Sequence, residues 1–243
     1  MFDKKIKFIS PFKGFIPDPK PASAFIPKEY KNLKAYITDS RKYASVKKCI
    51  PCLDAYSAGC IIPFAVDIEY RTPTHNPEDG KEEPADFSIS PVIPEEFLHH
   101  FCVSSHMQHQ STPELRNPKR TIDKVFKFSN PWTIKTPPGY SSLIITPINH
   151  NLPFDLVSGV VDTDRYDSSV LFPFYWTGAT DKSFLLKRGT PWVHIIPFKR
   201  EAWKMEIDYQ EEENFRNNYK RLKFFGTIAD NYKKSTWIKK TFK

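Results

Sequence analysis

The sequence contains no run of 18 apolar residues, which excludes a membrane-spanning helix. Its opening, MFDKKIKFIS, lacks the apolar stretch of a secretory signal. The expected setting is therefore a cytoplasm, where thiols stay reduced. Glycine is scarce, at 8 residues of 243. There is no internal repeat and no low-complexity tract, so a solenoid or a tail-like chain is not expected. Stretches of helical length between strands are also missing, which argues against a doubly wound α/β sheet. What is abundant is proline, with 22 residues. Each removes a backbone donor and breaks a helix interior, so a mostly helical protein is excluded. Aromatic residues reach 15%, led by 20 Phe, against a disordered chain. The length suits one large domain or two small ones with a sizeable core.

The net charge is +8, but it sits at one end. From Arg216 to Lys243 there are nine Lys/Arg and one acid, Asp230, so residues 1–215 sum to zero. A basic tail of this kind favours a polyanion or an acidic protein surface, and equally serves as a solvated helix that keeps a chain soluble. The four cysteines are Cys49, Cys52, Cys60 and Cys102. Cys49-Ile-Pro-Cys52 has the C-x-x-C spacing of zinc knuckles and redox dithiols. No second C-x-x-C follows, and the flanks CIPCLDAYSAGCIIP are apolar, as suits small core residues.

Along the chain, residues 1–30 interleave five prolines with Phe2, Phe8, Phe12, Phe15 and Phe25. They read as an extended arm whose aromatics pack on their own domain or on a neighbouring subunit. A short helix is expected over 46–56, ending at Gly59, and a strand over 61–71. The polar segment 74–86 reads as an exposed hairpin or loop, EEFLHHF as a helical turn, and PELRNPKRT as a loop. From Phe126 onward the pieces VFKFS, WTIKT, SSLIITPI, FDLVSGVVDTD, SVLFPFYWT, SFLLKR and WVHIIPFKRE predict short strands between turns. Trp132, Trp176, Trp192 and Trp203 are expected in or beside that β core. In the tail, Phe215, Tyr219, Leu222, Phe225 and Ile228 recur at helical spacing, with Gly226 as a break. The domain reading is an arm over 1–30, one mainly β domain over 31–208, and a basic helical tail over 209–243.

Three segments carry a resemblance. They are Pro138-Gly139-Tyr140, then Gly159-Val160-Val161-Asp162-Thr163-Asp164, then Lys187-Arg188-Gly189 running through His194-Ile195-Ile196. In order and separation they resemble the core of the dUTPase and dCTP deaminase superfamily, over about 125–200. The resemblance implies a β-clip fold and a homotrimer with pockets between subunits. It implies that Asp162 orients an attacking water, with Asp164 or His150 assisting, while Mg²⁺ neutralises the phosphates of a nucleotide. Tyr140, Asn149, His150, Arg165 and Tyr166 are then the ligand-binding candidates. The sequence departs from that pattern where the superfamily has an Arg-Ser-Gly phosphate clamp. Here Thr146-Pro147-Ile148-Asn149-His150-Asn151 stands instead, with no arginine and no glycine to approach a triphosphate. The glycine- and arginine-bearing C-terminal arm is also replaced, by the lysine- and aromatic-rich tail. The whole chain further resembles an uncharacterised family of bacteria and of tailed phages of cyanobacteria, through CIPCLDAYSAGCIIPFAVDIE, FKFSNPWTIKTPPGYSSL and SGVVDTDRYDSSVLFPFYWT. That resemblance implies a phage or bacterial source and brings no activity.

One more cluster competes for attention. His99, His100, Cys102, His106 and His109 fall within eleven residues. Imidazoles at this spacing can hold zinc or iron, and His106 and His109 are the metal-ligand candidates. No H-x-D pair accompanies them, so a facial iron triad is not formed locally. The expected protein is mainly β, with a β-clip (dUTPase-like) core, a Pro-rich arm and a helical tail. Its expected role is a non-catalytic binding or structural one. The alternatives are a nucleotide or small-ligand enzyme using Asp162 and a metal-dependent enzyme using the 99–109 histidines. The partners expected are a second copy of itself, a small ligand or nucleotide, and a polyanion or protein at 216–243.

Overall fold

The computed structural model describes residues 4–37, 43–71, 88–97, 100–105, 121, 125–180, 183–209, 211–226 and 231–242. The predicted loop at 74–86 lies outside them, as does PELRNPKRT apart from Thr121. The protein is mainly β, with several antiparallel sheets and few helices. It divides into two compact units, Met1–Lys20 with Gly59–Lys199, and Pro21–Ala58 with Arg200–Lys243. Among the described residues no helix is long and apolar enough to cross a membrane.

The strands in chain order are β1 (Lys7–Ile9), β2 (Lys20–Pro21), β3 (Cys60–Pro63), β4 (Asp67–Arg71), β5 (Ser88–Val92) and β6 (Val103–Ser105). They continue with β7 (Val125–Phe128), β8 (Thr133–Lys135), β9 (Tyr140–Ile145), β10 (Phe154–Leu156) and β11 (Gly159–Val161). The last are β12 (Phe172–Trp176), β13 (Phe184–Leu186) and β14 (Pro191–Lys199). They form a five-stranded sheet ordered β11-β9-β14-β3-β2, a four-stranded sheet β10-β12-β7-β6, a three-stranded sheet β13-β4-β5 and the pair β1-β8. The pairs β1-β8, β10-β12, β12-β7, β7-β6, β11-β9, β9-β14, β14-β3, β13-β4 and β4-β5 all run antiparallel. In β14 four successive residues, Trp192, Val193, His194 and Ile195, are buried. A strand covered on both faces reads as a continuous apolar run rather than an alternation. Trp192 is the extra residue of a bulge, since Pro191 and Val193 face the adjacent residues Pro63 and Ile62 of β3.

Two predicted strands are in fact two strands each. The run 61–71 breaks at 64–66 because Pro63 has no N–H to continue a ladder. Phe64 instead donates its N–H to the Thr190 carbonyl at 2.9 Å, and Gly189 donates to the Phe64 carbonyl at 2.9 Å. β3 therefore joins β14, and β4 joins β13 and β5. In the same way FDLVSGVVDTD yields β10, which pairs with β12, and β11, which pairs with β9.

The core of this unit is aromatic. The Trp192 ring stacks on Phe64 at 5.3 Å and meets Phe128 and Phe172 edge-on. Tyr70 stacks on Trp176 at 4.8 Å, and its hydroxyl donates to the Thr180 carbonyl at 3.3 Å. Phe8, Phe12 and Phe15 pack within their own unit, and Phe2 lies outside the described residues. Phe8 meets Trp132, Phe12 meets Phe101 and His100, and Phe15 meets Phe97, while β1 pairs with β8. Trp132 is buried as expected, and buried Asn130 brackets it by donating to its carbonyl and accepting from its N–H.

The second unit holds α1 (Lys28–Asn32), α2 (Ile50–Ser57), α3 (Glu212–Gly226) and α4 (Asn231–Ser235). The helix expected over 46–56 is a 3-10 turn at Val46–Lys48 followed by α2, with Pro51 in the first turn where it costs no hydrogen bond. The tail is held by Asp54. Its Oδ2 accepts from Trp237 Nε1 at 2.9 Å and from Lys240 Nζ at 2.7 Å. Trp203, expected in the β core, is 87% exposed. It follows the end of β14 in a segment that is neither helix nor strand and that no described strand pairs.

Candidate functional site

The acids Asp162 and Asp164 lie on the turn that follows β11. The turn is closed by the N–H groups of Arg165 and Tyr166, which both donate to the Asp162 carbonyl at 2.9 Å. Between the acids, Thr163 points inward and is wholly buried. Its Oγ1 lies 2.8 Å from Thr136 Oγ1 and 2.9 Å from Ser142 Oγ, and its carbonyl accepts from the Thr136 N–H. Thr136 Oγ1 also reaches the Tyr140 carbonyl. A buried hydroxyl cluster of this kind is stable only while its members supply each other with partners. Thr163→Val should leave Thr136 and Ser142 each short of one, and so cost about 1–3 kcal/mol. Urea unfolding would measure this, and a loss near zero would show the cluster to be idle.

The inward Thr163 sends the two neighbouring carboxylates elsewhere. Asp162 is exposed, and its Oδ1 accepts from Ser141 Oγ at 2.6 Å. Asp164 is half-buried, and its Oδ2 accepts from the Gly139 N–H at 2.8 Å. That bond holds a tight turn in which Tyr140 N–H donates to the Pro137 carbonyl. Gly139 has φ +83 there, as the second central position of a type II turn requires. The acid turn and the Pro-Pro-Gly turn are thus tied together. Lys4 lies over the Tyr140 ring at 5.1 Å, and Lys135 pairs with Asp167. The surface is of mixed charge.

The other sequence candidates are placed as follows. Arg165 and Tyr166 are exposed on the acid turn, and Tyr140 is half-buried at the start of β9. Asn149 and His150 lie on a turn closed by His150 N–H to the Pro147 carbonyl, with Asn149 left-handed at φ +59. His150 Nδ1 lies 3.0 Å from the Ile148 carbonyl, and the Ile148 N–H reaches buried His194 Nδ1 at 3.4 Å. Thr146, just after β9, bridges β9 and β10. It donates to Asp155 and accepts from the Leu156 N–H. Thr146 thus joins β9 to β10 and Ile148 ties the loop to β14, while His150 bonds within the loop.

A cleft of about 400 Å³ lies on other elements, lined by Gly14, Phe15, Val66, Asp67, Val92 and Arg188 among others. Arg188 spans it, donating its N–H to Asp67 and Nη2 to the Phe15 carbonyl. Sequence reading missed this cleft, because it joins residues from four separate segments.

Metal candidates His106 and His109, with His99, lie outside the described residues. Of that segment, His100 packs against Phe12, and Cys102 Sγ lies 3.1 Å from Ser129 Oγ. Among the described residues, no three His, Cys, Asp or Glu side chains are grouped for a metal. Cys49 and Cys52 occupy the N-cap and first turn of α2, exposed and half-buried respectively. Burial and the nearby Cys49 push the Cys52 thiol up, and burial alone pushes Cys60 up. Because the thiolate is the nucleophile, iodoacetamide should label Cys49 and Cys102 first, Cys52 later and Cys60 last. Peptide mapping over a time course reads the order, and early labelling of Cys60 would contradict its burial. The chain matches no protein-family model and no curated protein.

Proposed function

We propose that this is a non-catalytic binding or structural protein of phage type, built on a β-clip, dUTPase-like core whose nucleotide pocket has degenerated. It acts in the host cytoplasm or the virion, as a homotrimer, with a small ligand or nucleotide at the acid turn and a polyanion or protein at 216–243. The observation that carries the reading is the engagement of the loop 146–150. Thr146 bonds to Asp155 and Leu156 of β10, Ile148 bonds to His194 of β14, and His150 bonds within the loop. A phosphate site needs free backbone donors and a guanidinium, and this loop has no arginine. Asp164 supports the reading as well, since its Oδ2 holds the Gly139 N–H.

The test is turnover of a panel of deoxynucleoside mono-, di- and triphosphates with Mg²⁺, comparing the natural chain with Asp162→Asn. Both are expected at the protein-free background. Mg²⁺-dependent turnover that disappears in Asp162→Asn would overturn the proposal and establish the alternative, a nucleotide hydrolase or deaminase with Asp162 as base.

A further inference from the structure

The segment that follows β14 has an unusual surface. Residues 203–209 read Trp-Lys-Met-Glu-Ile-Asp-Tyr. Trp203, Met205, Ile207 and Tyr209 are 87%, 84%, 66% and 90% exposed. The segment is neither helix nor strand, and among the described residues no strand pairs with it. Taken up as a β-strand, this alternating sequence would place all four apolar side chains on one face and Lys204, Glu206 and Asp208 on the other. This is the sequence pattern of a half-buried strand, carried by residues that are exposed.

The same chain carries a sheet edge of matching character. β13 is the outer strand of β13-β4-β5, pairing on one side with β4. Its Phe184 and Leu186 face the core side. Leu186 is buried, and the Phe184 ring lies 6.3 Å from Trp176. Opposite them in β4, Tyr70 and Ile68 are buried. Yet Phe184 is 44% exposed, and among the described residues no further strand covers it. A strand added beyond β13 would continue that core face with its own apolar residues and close over Phe184. Its other face would bring Glu206 and Asp208 to the side of Lys187, which follows β13 and is largely exposed.

We propose that residues 203–209 form an exchange strand that adds to the outer edge of β13 in a second copy of this chain. Among the described residues each copy carries both an unpaired segment of strand-like sequence and an open edge, so that strand addition between copies would satisfy backbone groups of both. The area is sufficient. At roughly 150–250 Å² per large side chain, the four apolar residues bury about 600 Å². Reciprocal exchange doubles this to about 1,200 Å², the range of stable interfaces. The proposal gives self-association a structural element, and it stands whether or not the acid turn is catalytic.

The test uses the full chain. Sedimentation velocity from about 1 to 100 µM, spanning ordinary association strengths, should show a dimer or larger closed oligomer. Met205→Lys with Ile207→Lys should weaken association by about a hundredfold or more. Unchanged circular dichroism is expected, since both residues are exposed. Glu206→Gln, on the polar face, should retain the oligomer. A photo-crosslinker at position 207, in a mixture of isotope-labelled and unlabelled protein, should join peptides of different copies, with the 183–188 peptide as acceptor. A monomer throughout the concentration range would overturn the proposal. So would an oligomer untouched by the double substitution, or crosslinks confined to one copy or to another edge. Nucleotide turnover bears on the acid turn alone, so the two readings fail separately.

Discussion

Gly59→Ala should cost about 3–5 kcal/mol, at the severe end of single substitutions. Two effects add. Gly59 has φ +67, a left-handed conformation that costs an L-residue about 1–2 kcal/mol. A Cβ built there would also lie 2.1 Å from the Ile195 carbonyl oxygen, 3.0 Å from its carbon and 3.1 Å from Ile196 Cα. These are backbone atoms of β14, which pairs with β3 on one side and β9 on the other. A strand held on both sides cannot retreat to make room. Gly189 isolates the first effect, having φ +86 with nothing within 4 Å of the position a methyl group would take. Gly189→Ala should therefore lose only the conformational share, about 1–2 kcal/mol. Urea unfolding followed by tryptophan fluorescence would compare them. If the two alanine variants unfold at the same midpoint, the close approach to β14 is not what requires glycine at 59.

The strands from 125 to 199 were legible because proline and glycine punctuate them and their aromatic runs are short. The pieces VFKFS, SVLFPFYWT and WVHIIPFKRE correspond to β7, β12 and β14. The crossing points between sheets were not legible. Nothing local in IIPFAVDIEYR says that Phe64 will bond to Thr190, a residue more than a hundred positions away. Pro63 was the available signal, since a proline inside a strand run marks an edge or a break. The acid turn was legible as a turn, but the destinations of its carboxylates were not. Asp164 ends on the Gly139 N–H because Thr163 is drawn into a hydroxyl cluster with Thr136 and Ser142. Such a cluster is assembled from three segments and has no local sequence signature. Trp203 was misread for the opposite reason. Its neighbourhood alternates apolar and charged residues through Tyr209, which is a strand signal. Composition predicts burial for tryptophan, but which molecule supplies the covering surface is set by topology.

Trp192→Ala should lose about 3–5 kcal/mol, the range for truncating a large aromatic in a core. The ring is fully buried, stacked on Phe64 and ringed by the edges of Phe128 and Phe172. Those partners come from β7, β12 and the break between β3 and β4, so one side chain of the five-stranded sheet joins the four-stranded sheet and the connection between β3 and β4. Its placement at the β14 bulge limits relaxation, because the backbone on either side is paired with β3. The cavity left by alanine would therefore persist. Trp192→Phe separates packing from polarity. The Nε1 of Trp192 is buried without a hydrogen-bond partner among the described residues, which already carries a desolvation cost of about 1–3 kcal/mol. Phenylalanine removes that burden while keeping much of the aromatic area, so it should cost about 1–2 kcal/mol, well below alanine. Equilibrium unfolding, with near-ultraviolet circular dichroism to report on core packing, would measure both variants. Equal losses for alanine and phenylalanine would mean that the shape of the whole indole, rather than aromatic burial, decides the stability of this core.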